Sequence, residues 1–233
     1  MDLKGNRVTW LGHGTWLWET SDNKRILIDA WLDGNPSCPD ELKDPGHLDT
    51  ILVTHGHFDH IGDIEKAAAS KPVVVAIFET GHYLQSIGIE NVVQMNKGGA
   101  VDVPGARVTM TTAHHSGGIL HEGQHIDGGD PAGFIIEFAD GLVVYHAGDT
   151  CVFGDMALIA EIYEPSVVVL PIGDHFTMGV REAIHAVRLT KATQVLCGHW
   201  GTFPVLVGTP TSLQEAVGHG VEVANLAPGE SLG

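Results

Sequence analysis

The sequence predicts a layered α/β fold. Three features carry that prediction. The chain opens on three short strand candidates in a row, the pattern of an antiparallel meander. Apolar strand-like runs then exchange with segments of helical spacing, as in α/β layers. Between one such strand, Asp49–Val53, and the helical spacing of Ile61, Ile64, Ala67 and Ala68 lies Thr54-His55-Gly56-His57-Phe58-Asp59-His60-Ile61-Gly62-Asp63. That strand-to-helix turn sets three imidazoles and a carboxylate within six positions.

Val8–Leu11 and Thr15–Glu19 read as the first two strands, joined by Gly12-His13-Gly14, and Arg25–Asp29 as the third. Trp31–Pro45 is a loop with three prolines and Cys38. After the histidine turn, Ile61–Ser70 is expected to be helix, Val73–Ala76 strand and Phe78–Ile87 helix. Asn91–Gln94 and Arg107–Ala113 are strands, the second ending at His114-His115-Ser116. Adjacent strand residues face opposite ways, so only one of that histidine pair can point inward. Residues 117–131, rich in glycine and histidine, read as a lid; long loops in compact domains are usually functional or disordered. Ala132–Phe138 and Leu142–Tyr145 form a hairpin about Asp140-Gly141, a strong turn signal. Asp155–Tyr163 is helical, Val167–Leu170 a buried strand, and Val180–Thr190 a helix with His185 on its polar face. Gln194–Gly198 is a strand, and Thr211–Val217 and Val221–Ala224 close the fold. No linker interrupts residues 1–233, which read as a single domain.

The balance of 43% hydrophobic and 18% charged residues is that of a globular protein. No apolar run reaches membrane-span length, and the N-terminus lacks a signal pattern. Three cysteines with no close-spaced pair fit a reducing compartment, so the expected location is cytoplasmic. A formal charge of −17 disfavours nucleic-acid binding, which needs lysine and arginine against phosphates. The expected partner is a small-molecule substrate, and a homo-oligomer is compatible with the sequence.

The histidine spacing suits metal chemistry. In extended chain, residues two apart point the same way, so His55 and His57 can grip one ion. Asp59 and His60, where the chain turns, can serve a second ion beside it. Imidazole and carboxylate suit zinc, manganese or iron.

The His-x-His-x-Asp-His run resembles the signature of the metallo-β-lactamase superfamily. Further segments resemble its ascorbate-6-phosphate-lactonase-like branch of metal-dependent hydrolases: Trp10-Leu11-Gly12-His13-Gly14, Ala113-His114-His115-Ser116, His146-Ala147-Gly148-Asp149-Thr150, Leu170–Gly179 and Gly198–Pro204. The resemblance implies a four-layer αββα sandwich, and two divalent ions, zinc first, with manganese or iron as alternatives. It gives His55, His57 and His115 to one ion, with His114 as the other choice. It gives Asp59, His60 and His199 to the second, and makes Asp149 the bridge. Asp29 is implied to steady the metal loop from behind. Asp59 would orient a water or pass a proton. His13 would sit at the pocket edge as a proton donor or substrate contact, so its replacement would spare metal and lower turnover. His146 and Cys151 read as structural, and Asp174 and His175 as residues near the mouth. Ala30 stands where the family usually has proline. The implied activity is hydrolysis of an ester, lactone or phosphoester. The alternatives are an iron-dependent oxidoreductase on the same fold, or a nuclease or phosphodiesterase.

Overall fold

The computed structural model describes residues 1–233. Two seven-stranded sheets form its centre. In spatial order the first runs Ser231–Leu232, Arg7–Trp10, Trp16–Glu19, Arg25–Ile28, Thr50–Leu52, Val73–Ile77 and Val92–Met95. The second runs Ala100–Val103, Ala106–Thr112, Ala132–Phe138, Val143–His146, Val167–Pro171, Gln194–Gly198 and Glu222–Val223. Taken in these directions, each sheet has three antiparallel pairings followed by three parallel ones. The two halves therefore repeat one plan.

Strand alternation sorts the side chains into three cores. Trp16, Trp18, Ile26, Ile28, Leu52, Val75 and Ile77 point inward and meet Val108, Met110, Phe134, Ile136, Val144 and Val169 of the other sheet. Their neighbours Leu17, Leu27, Ile51, Val74 and Ala76 point outward and bury Ile61, Ile64 and Leu84. On the far face, Tyr145, Val168, Leu170 and Val195 bury residues of helices Met156–Tyr163, Val180–Thr190 and Pro210–Val217. A side chain at strand period 2 can serve only one face, so three cores require four layers. The result is the αββα sandwich. At one end of it, parallel neighbours release their chains on the same side, where loops gather over the carboxyl ends of strands.

Four elements differ from expectation. The segment 61–70 is not one helix but two short ones, Phe58–Ile61 and Ile64–Ala67, followed by a 3-10 turn at Ala68–Ser70. The break falls at Gly62-Asp63, where the Asp63 carboxylate oxygen Oδ2 accepts from the Leu32 and Gly34 amides at 2.6 and 3.3 Å. Residues 117–131 are not a loose loop. They hold a hairpin, Ile119–His121 with Gln124–Ile126, anchored by buried Ile119 and by the Thr80 hydroxyl donating to Gly128 O. The edge strands Ala100–Val103 and Ser231–Leu232 were not anticipated. No helix is long and apolar enough to cross a membrane.

Candidate metal centre

The loop after strand Thr50–Leu52 supplies His55, His57, Asp59 and His60. The turns after Ala106–Thr112, Val143–His146 and Gln194–Gly198 supply His115, Asp149 and His199. All seven meet at one place. One donor atom each from His55, His57 and His115 lie within 4.8 Å of one another, and so do those of His55, His60 and Asp149. Asp59, His60 and His199 form a further such set, which also includes His13. Asp149 Oδ2 lies 3.0 Å from His199 Nε2, 3.2 Å from His60 Nε2 and 3.8 Å from His115 Nε2.

The donors' lone pairs are set from behind by Asp29. Its carboxylate accepts from the Thr54 amide at 2.8 Å, the Thr54 hydroxyl at 2.7 Å and His60 Nδ1 at 2.7 Å. With its proton committed to Asp29, the Thr54 hydroxyl accepts from His55 Nδ1 at 3.0 Å. Both histidines thus hold a proton on Nδ1 and turn Nε2 toward the centre, as carboxylate-backed metal histidines do. His57 Nε2 has an acceptor in Ser116 Oγ at 3.2 Å, which leaves its Nδ1 facing His55 Nε2 at 2.9 Å. Two lone pairs so placed repel unless a cation lies between them. His60 Nε2 is buried and has no hydrogen-bond partner despite its nearness to Asp149. These unpaired nitrogens fit a metal.

The electrostatics agree. Burial, joined by the charge of His60, pushes the pKa of His55 well below the ordinary imidazole value. Burial would do the same to His60, but Asp149 and Asp29 outweigh it and raise its pKa well above that value. The pocket therefore favours positive charge at His60 Nε2, where a cation would sit. Burial pushes the Asp149 carboxyl up, yet His199 and His60 outweigh it and hold it well below the carboxylate range.

A family model for the beta-lactamase superfamily domain matches residues 24–200. The chain belongs to the metallo-β-lactamase superfamily, among its metal-dependent hydrolases. It is 50% identical over 236 residues to a UPF0173 metal-dependent hydrolase of Rubrobacter xylanophilus, across 99% of this chain and 98% of the relative. A UPF0173 metal-dependent hydrolase of Herpetosiphon aurantiacus is 46% identical over 98% of each. Among solved structures, Igni18, a metallo hydrolase from Ignicoccus hospitalis, superposes with a TM-score of 0.86. It is 32% identical, with 97% of each chain covered.

Backbone constraints of this superfamily member hold the centre together. His13, Asp29 and His199 all adopt left-handed φ near 54°, which costs non-glycine residues of order 1–3 kcal/mol each and marks functional sites. The Ala30 N–H donates to His60 O at 2.6 Å, a bond that a proline at this position could not make. Gly14 is needed for space, because a Cβ there would meet His60 Cε1 at 2.8 Å. We expect Gly14→Ala to displace the His60 ring and weaken metal binding about 10-fold or more, within the range for perturbed supporting residues. Titration against a chelator checks this.

The remaining sequence-predicted residues fall as follows. Of the adjacent pair, His115 joins the donors, while His114 is exposed and packs on Phe153. His146 is buried outside the donor sets, and its Nδ1 accepts from the Gly148 amide. Cys151 is exposed, not a small buried residue. It lines a cavity of about 560 Å³ with His114, His115, Asp174, His175 and Arg181. His121 and His125 stay on the hairpin, outside every donor set. His13 departs from its expected place at the pocket edge. It is fully buried, under Trp31 and Phe203, and its Nε2 lies 2.9 Å from Asp59 Oδ2. Sequence reasoning missed Thr54 as the link between Asp29 and His55. The only signal for it was a hydroxyl immediately before the first histidine.

Proposed function

We propose that the protein is a two-ion hydrolase of a small-molecule ester, lactone or phosphoester. The observation that carries this reading is Asp149 Oδ2, one oxygen within 4 Å of nitrogens from both donor groups. A carboxylate so placed is suited to join two cations. His55, His57 and His115 would hold one ion, and Asp59, His60 and His199 the other, with Asp149 shared. All seven are nitrogen or oxygen donors, which favours zinc and also accepts manganese or iron. Divalent ions held by these residues would supply a water of lowered pKa, toward about 7, and polarisation of a carbonyl or phosphoryl oxygen.

The chain's own residues do the rest. Burial pushes the Asp59 carboxyl up, but the His13 bond and the charge of His60 prevail and bring its pKa down to about 2. Asp59 is therefore a carboxylate near neutral pH. It can accept a hydrogen bond from a water and orient it, but it is not itself an acid. The cavity beside His115 is the place for substrate, and its volume lies within the range of small-molecule sites. Arg181 and His175 give it polar recognition, and Phe176 and Val207 an apolar wall. The test is His55→Ala. Metal content and hydrolysis of a panel of lactones, phosphodiesters and aryl esters should fall together, turnover by about 100-fold or more. Full metal content with unchanged turnover would refute the assignment.

A further inference from the structure

We propose that His13 is a direct ligand of the second ion, through Nε2, which closes that ion's protein shell and leaves the open position on the first. This rests on the two-ion reading above. The turn between strands Arg7–Trp10 and Trp16–Glu19 holds His13 in place by its backbone. The His13 carbonyl accepts from Trp10 Nε1 at 2.9 Å and from the His199 amide at 2.8 Å. That double clamp, together with the left-handed φ of 54°, sets its ring against the His199 ring at a centroid distance of 3.9 Å.

The distances fit shared ligation. His13, Asp59, His60 and His199 each bring a donor within 4.8 Å of the other three. Asp59 Oδ2 is the common atom: 2.9 Å from His13 Nε2, 3.9 Å from His199 Nε2 and 4.0 Å from His60 Nε2. Two donors each about 2.1 Å from one ion and at right angles to each other lie about 3 Å apart. The His13–Asp59 separation matches one edge of such a shell. Contact with substrate is excluded by burial, since Trp31 and Phe203 cover the ring.

The consequence is a division of labour. With His13, the second ion has four donors of its own and a share of Asp149, whereas the first has three and the same share. A closed shell suits a structural ion and an open one a catalytic ion. The cavity wall reaches the centre at His115, a donor of the first group.

The test uses the full-length chain loaded with NMR-active cadmium, with nitrogen-labelled histidine. Six imidazoles, those of residues 13, 55, 57, 60, 115 and 199, should show scalar coupling to cadmium. Five coupled imidazoles with His13 uncoupled would overturn the proposal and leave the two-ion reading standing. Fewer than two cadmium ions per chain would overturn both. His13→Gly, which suits the left-handed backbone, provides a second readout. One of two calorimetric zinc-binding events should lose affinity at least 10-fold while the other is kept. Two unchanged binding events would overturn the proposal.

Discussion

Asp149→Asn should abolish tight binding of the ion pair and reduce turnover by about 100- to 1,000-fold or more. The side chain is buried and keeps its shape in the amide, so the change acts on charge. Without it, the three imidazoles that now surround Oδ2, those of His60, His115 and His199, lose the carboxylate nearest to them. Elemental analysis after desalting, beside a thermal melt to show that the fold persists, measures the effect. Two ions retained at parental affinity would show that Asp149 is not the shared group.

Asp29→Asn carries the second large effect, through residues that never face the substrate. Asp29 accepts three hydrogen bonds, from the Thr54 amide, the Thr54 hydroxyl and His60 Nδ1. An amide has only one oxygen to offer. With its nitrogen at the Oδ2 position it loses both His60 Nδ1 and the Thr54 hydroxyl; with its nitrogen at the Oδ1 position it keeps those two but sets an NH2 against the Thr54 N–H. In the first case Nε2 of His60 can take up the proton and is lost as a donor. We expect metal affinity to fall about 10- to 100-fold, as for other supporting partners of metal histidines. Thr54→Val should show a smaller loss, because it cuts only the branch to His55. Chelator competition with both variants measures the difference, and equal affinities for Asp29→Asn and the parent would contradict the account.

Much of this centre was legible in the sequence because its chemistry is local. His55, His57, Asp59 and His60 lie within one turn, and strand alternation and turn geometry say where they point. His115, Asp149 and His199 each follow directly on a strand, so apolar runs located them. His13 was harder to read. The partner of its ring, Asp59, is 46 residues away, and no periodicity reveals that a histidine in a glycine turn will lie beneath two aromatic rings. The hairpin at Ile119–Ile126 escaped notice for a related reason. Only Ile119 is buried, while Leu120, Gln124 and His125 are exposed, so the run lacks the alternation of a half-buried strand. The break at Gly62-Asp63 reflects a tertiary demand, the amides of Leu32 and Gly34, that outweighs helical spacing. Edge strands such as Ala100–Val103 bury too little to leave a pattern.

Isothermal titration of the metal-stripped parent chain with zinc measures the number of ions directly. Two equivalents bound tightly per chain is the expected result. Saturation at one equivalent, or no tight binding, would mean that the nitrogens and carboxylates around Asp149 do not form a paired-cation centre.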